Sequence, residues 1–118
     1  LKGRDDVAWV NYPGLEGDKY HELAKKYLPK GSCGVISFGL KSGRQGAEIF
    51  MDKLKVAAIV THVADARTCV LHPASHTHRQ LNDKQLAEAG VDPSLIRLSV
   101  GIEDADDIIE DIRQALED

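Results

Sequence analysis

Arg97 stands in a stretch, IRLSVGI at 96–102, whose alternation puts Leu98, Val100 and Ile102 on one face of a strand and Arg97, Ser99 and Gly101 on the other. An arginine is almost never fully buried without a partner. Its planar fork suits a two-pronged grip on a carboxylate or phosphate, which is either an Asp or Glu of the same chain or part of a ligand. A second stretch, HPASHTHRQL at 72–81, gathers His72, His76 and His78. Zinc can be drawn from such a cluster. Structural zinc sites, however, use well-separated Cys and His sets, and Pro73, Ala74 and Ser75 read as a turn, so the histidines are expected as turn and capping residues and not as metal ligands. In THVADART, 61–68, His62 ends a strand and precedes a polar bend, where a side chain meets either a cleft or plain solvent.

The chain has no G-x-x-x-x-G-K-[ST] loop, no G-x-G-x-x-G turn, no nucleophile elbow and no paired-histidine motif. What it offers is a binding surface without a complete catalytic set. The acidic run Glu103, Asp104, Asp106 and Asp107 is explained by the start of a helix, whose positive end favours negative charge, so no metal site is assigned to it.

These residues must be positioned by elements that the spacing of apolar residues outlines. Tyr20, Leu23, Ala24, Tyr27 and Leu28 line one face of a helix that Pro29 and Gly31 end. GVISFGL, 34–40, reads as a strand whose Gly39 marks a bend or a close backbone approach. A turn at Ser42 and Gly43 leads into a helix with Ala47, Phe50, Met51 and Leu54 on its inner face, Met51 being core and not a cofactor contact. Strands are expected over 56–63 and again over 68–71. Asp83 and Gly90 bracket a short helix, and Asp92 with Pro93 opens a further helical turn. The strand at 96–102 then feeds a closing helix with Ala105, Ile108, Ile109, Ile112 and Leu116 as its buried stripe. This order predicts an α+β fold, a small and mainly antiparallel sheet with helices on one face, whose other face needs a cover.

At 118 residues the chain is the size of one domain, 1–118, and no linker-like stretch divides it. The 19 acidic residues against 15 basic, a net charge of −4, argue against nucleic acid or an anionic membrane as partner. No run is apolar enough to span a bilayer and no signal peptide opens the chain, so a cytoplasmic protein is expected. Cys33 and Cys69 have no zinc or redox spacing and are expected as small buried residues. The opening Leu1 and the uncapped segment after it read as a piece of a longer chain.

WVNYPGL, HELAKKYLPKG, GVISFGLKSG, HPASHTHRQL and GVDPSLIRLSVGIEDADDIIEDI follow in an order that resembles the C-terminal domain of the Cys/Met metabolism family of pyridoxal-phosphate enzymes. The resemblance runs from about Val7 to the end and is greatest to the family's O-acetylhomoserine sulfhydrylase branch. It implies the small domain of a fold type I transferase. The cofactor, pyridoxal phosphate, and its Schiff-base lysine would belong to a preceding domain, so this chain alone would bind no cofactor and carry no catalytic residue. It further implies that Arg97 binds the α-carboxylate of an amino-acid substrate, that His62 stands where relatives use a serine or asparagine near that carboxylate, and that Thr77 lines the pocket. Ala64 falls where a glycine is usual. The implied reaction replaces the acetate of O-acetylhomoserine by sulfide or methanethiol, giving homocysteine or methionine, in a homotetrameric parent. Alternatives are a transsulfuration relative, such as cystathionine γ-synthase or methionine γ-lyase, and a free-standing amino-acid-binding regulatory module.

Overall fold

The computed structural model describes residues 1–117. In chain order the elements are β1 (Val7–Asn11), α1 (His21–Tyr27), β2 (Val35–Leu40), α2 (Gly43–Lys53), β3 (Ala58–Ile59), β4 (Cys69–Leu71), α3 (Asp83–Glu88), β5 (Leu95–Ser99) and α4 (Ala105–Leu116). The strands form one mixed sheet in the order β1-β2-β5-β4-β3. All pairings are antiparallel except β3 with β4.

Alternation along β5 decides what the sheet buries. Ile96 and Leu98 point with Phe38 and Val70 into a core closed by α2 and α4, which contributes Ala47, Phe50, Met51 and Ala115. Phe38 meets Phe50 edge to face, with ring centroids 5.7 Å apart. Such a pair adds about 0.5–1.5 kcal/mol beyond the area it buries. Asp111 of α4 reaches back from this layer to accept the backbone N–H groups of Lys55, Val56 and Ala57 at 2.8–2.9 Å, fixing the chain between α2 and β3.

β1 was not expected. Its register shifts between Val7 and Trp9, and that irregularity breaks the alternation by which a strand is read. Trp9 lies across Gly39 of β2, where a Cβ would collide with the indole Nε1 and with Ser94, so the glycine marks a close approach. The expected strand over 56–63 shrinks to Ala58–Ile59, and β5 ends at Ser99 because the chain then turns across the 64–68 segment. Asn82, not Asp83, caps α3: its side chain accepts from the Gln85 N–H while the Gln85 side chain accepts from the Asn82 N–H, a reciprocal capping box. Asp92 forms a turn and no helix, its Oδ1 accepting from both the N–H and the hydroxyl of Ser94. Along α1 the apolar spacing is as read, but Tyr20, Leu23, Tyr27 and Leu28 are exposed and only Ala24 is buried. Cys33 is likewise exposed, while Cys69 is buried. Among the described residues no helix is long and apolar enough to cross a membrane.

Candidate functional site

β5 is the middle strand, and its second face carries Leu95, Arg97 and Ser99 away from the helices. Ser37 of β2 and Leu71 of β4 stand opposite Arg97 on either side, so the guanidinium rises from the centre of the sheet. The 60–67 bend between β3 and β4 crosses this face. One Nη of Arg97 donates to the Thr61 carbonyl at 2.8 Å, and the Ala64 N–H donates to Ser99 Oγ at 3.2 Å. Among the described residues no carboxylate lies within ion-pair distance of Arg97, so the intramolecular salt bridge that the sequence left open is not made. A guanidinium has five N–H donors, and the carbonyl engages one side of the fork while leaving the rest for a ligand.

The bend is itself well tied. Asp65 accepts from the Arg67 N–H at 2.8 Å and lies 3.7 Å from His62 Nδ1. The Arg67 N–H and guanidinium hold the Asp65 carboxyl below its ordinary range. Thr68 at the far end donates its N–H and hydroxyl to the Glu103 carboxylate, at 2.8 and 2.9 Å. Those donors, the backbone N–H first, hold Glu103 below the usual carboxylate range as well. Glu103 thus leaves the acidic helix start in which it was expected. Asp104 caps α4 through the Asp106 N–H, and Asp106 and Asp107 remain in the first turn.

The structure brings Arg97 and the His62 segment together through the Thr61 carbonyl, with the exposed His62 ring turned toward Asp65. Thr77 is not brought to Arg97 by any hydrogen bond among the described residues: it lies on the turn after β4, where its hydroxyl pairs with His78 Nδ1 at 2.8 Å. The histidine cluster is a structural knot. His72 is fully buried, its two ring nitrogens engaged by Ser75 Oγ and the Pro93 carbonyl, each at 2.7 Å, and its N–H donates to His76 Nδ1. Burial, with the neighbouring His72, pushes the His76 imidazole below its ordinary pKa. Among the described residues no group of three or more His, Cys, Asp or Glu is placed to hold a metal ion. An apolar groove of about 440 Å³ lined by Ile36, Leu98, Val100 and Ile109 lies along α4, on the core side of the sheet and away from Arg97.

Residues 1–117 match the family model described as Cys/Met metabolism PLP-dependent enzyme. The chain belongs to this family. Within it, the chain is 44% identical to O-acetyl-L-homoserine sulfhydrylase 1 of Thermus thermophilus over 98% of its own length, and 49% identical to homocysteine synthase of Schizosaccharomyces pombe over 99%. It spans only 28% and 27% of those relatives. A solved structure from Campylobacter jejuni, described as an O-acetylhomoserine (thiol)-lyase with N'-pyridoxyl-lysine-5'-monophosphate, superposes with a TM-score of 0.88 at 38% identity, covering 99% of this chain and 28% of that one. The α+β fold with its five-stranded sheet is therefore that of a segment of a pyridoxal-phosphate family member.

Pyridoxal phosphate needs a lysine for its aldehyde and a cradle of donors for its phosphate. The chain has nine lysines, eight of them exposed, and the half-buried Lys53 donates to the Glu117 carbonyl. The residues placed beside Arg97, Ser37 and Leu71 on the neighbouring strands and the Thr61 carbonyl, include no lysine. They fit a carboxylate anchor and do not fit the holder of the cofactor.

Proposed function

We propose that this chain is the small C-terminal domain, 1–118, of a pyridoxal-phosphate-dependent O-acetylhomoserine sulfhydrylase, and that it completes the substrate pocket by holding the amino acid's α-carboxylate on Arg97. The observation that carries the reading is the state of Arg97. It is half-buried at the centre of the sheet, oriented by a carbonyl, and without an acidic partner among the described residues. A carboxylate bound there is fixed in direction as well as place, because a fork-on-carboxylate contact is planar. Fixing the carboxylate limits rotation about the substrate's Cα, so the bond to be broken is presented in one orientation; the contribution is positional and moves no proton. His62 and Thr77 complete the set, His62 from the bend beside Arg97 and Thr77 from the turn after β4. The cofactor, held by the parent's preceding domain, supplies the electron sink. The identity to sulfhydrylases and homocysteine synthases supports replacement of acetate by sulfide as the reaction, with methanethiol as the alternative acceptor to be tested. A reducing compartment, the cytoplasm, suits the free thiols of Cys33 and Cys69.

The test uses the full-length parent with O-acetylhomoserine and sulfide. Homocysteine forms with the wild type. Arg97→Ala lowers kcat/KM by the equivalent of ~2–5 kcal/mol, the range for truncating one partner of a desolvated charge pair, while the absorbance of bound pyridoxal phosphate is retained. Arg97→Lys recovers only part, since a point charge replaces a fork. Unchanged efficiency in Arg97→Ala removes Arg97 from the pocket. Comparing sulfide, methanethiol and cysteine as acceptors separates this reaction from transsulfuration.

A further inference from the structure

The Thr61 carbonyl that aims Arg97 lies in a bend, and a bend between two short strands holds its shape only where something fastens it. Two strands of two and three residues supply little. The fastening comes from the segment after β5. The Ile102 N–H donates to the Ala66 carbonyl at 2.8 Å, the Gly101 N–H donates to Thr68 Oγ1 at 3.0 Å, and both Glu103 oxygens take the Thr68 N–H while Oε1 takes its hydroxyl. Gly101 is packed so closely on the Ala66–Arg67 backbone that a Cβ there would overlap it. The chain that carries Arg97 thus doubles back to clamp the bend that aims Arg97, closing a loop of contacts: Arg97 to Thr61, Ala64 to Ser99, Thr68 to Glu103.

We propose that Glu103 is a positioning residue for substrate binding: by gripping Thr68 it sets the 60–67 bend, and through the Thr61 carbonyl it sets the direction of the Arg97 fork. This deepens the proposed function and rests on Arg97 being the carboxylate anchor. A carboxylate is the group the place requires, because it accepts from an N–H and a hydroxyl of one residue at once and has no donor of its own to misdirect. Glutamine keeps one acceptor for the Thr68 N–H but brings an NH₂ toward the hydroxyl. Alanine leaves Thr68 with neither partner.

Glu103→Ala, Glu103→Gln and Thr68→Val are made in the full-length parent, with Arg97→Ala for reference. Two readings are taken: steady-state kinetics with O-acetylhomoserine and sulfide, and amide hydrogen exchange over 61–68, with β2 as the internal control. In Glu103→Ala the KM for O-acetylhomoserine rises about tenfold with kcat changed less than about threefold, and exchange over 61–68 quickens while β2 is unaffected. Glu103→Gln lies between this and the wild type, and Thr68→Val moves KM the same way. Unaltered exchange over 61–68 overturns the grip. Faster exchange with unaltered KM overturns its effect on Arg97, as does a loss confined to kcat or exchange that rises equally in β2. If the wild-type parent makes no homocysteine, or Arg97→Ala changes nothing, the carboxylate-anchor reading itself has failed and the positioning role falls with it, whatever the bend does.

Discussion

Ala64 shows how much a single backbone angle can report. Its φ of +59° is in the left-handed region, where a side chain costs about 1–2 kcal/mol, and its N–H is directed at Ser99 Oγ. The resemblance implies a glycine at this position, and a left-handed backbone is where a glycine is favoured. Glycine at an ordinary strand or helix position costs about 0.5–1 kcal/mol relative to alanine. Here the sign reverses. Ala64→Gly is expected to raise the stability of this chain by about 0.5–1 kcal/mol, read as a higher urea midpoint, because relief of the left-handed alanine exceeds the added chain entropy. A lower midpoint shows that the bend tolerates alanine without strain. The positive φ is invisible in the sequence, where ADAR reads only as polar. Arg97 stood out in the sequence as a candidate, since an arginine among alternating apolar residues is out of place. Glu103 was not, because its partner Thr68 is 35 residues away and Glu103 sits beside acidic residues that do belong to the helix start.

At the scale of elements, those whose apolar residues face one core were legible. α2, β2 and the middle strand β5 as far as Ser99 have the spacing that their burial demands, whereas in α4 Ile108, Ile112 and Leu116 face inward but Ala105 and Ile109 of the expected stripe are exposed, and Asp111 and Ala115 are buried instead. The failures have local causes. The register shift hides β1, a side chain one residue earlier caps α3, and the stripe of α1 faces outward, which no periodicity reports. The β1–β2 pair depends on the bare backbone at Gly39, because Trp9 and Ser94 both occupy the space a methyl would take. Gly39→Ala is expected to lift Trp9 from β2 and lower stability by about 1–3 kcal/mol, the usual cost of overfilling a packed site. Trp9 is the chain's single tryptophan, so its fluorescence reports both the displacement and the unfolding. Unchanged emission with an unchanged midpoint shows that the indole moves aside at no cost.

For the whole molecule, one carboxylate of the helical layer gathers three backbone N–H groups of the chain leading to the edge strand. Asp111 is 4% exposed; burial alone would raise its pKa, but the N–H groups of Ala57, Lys55 and Val56, with the Gln114 side chain, outweigh burial and hold it below its ordinary value. A group whose pKa is lower folded than unfolded binds fewer protons folded, so it stabilises the fold above its unfolded value of 3.8 and that contribution fades as pH falls toward the depressed folded value. Asp111→Asn keeps the shape of the side chain and removes the charge, leaving one oxygen for three donors. It is expected to lower stability at neutral pH by about 2–3 kcal/mol, the scale of hydrogen bonds to an ionised group. Asp6, Asp65 and Glu103 are also held low, so the wild type loses stability on acidification from several carboxylates. The wild type and Asp111→Asn share those three, and only the contribution of Asp111 differs between them. The gap in urea midpoint between the two chains should therefore be constant near neutrality and narrow as the pH falls below 3.8. A gap that keeps its full size into acid assigns the loss to altered packing at the amide, and the three backbone donors then owe their order to the fold around them and not to the charge they share.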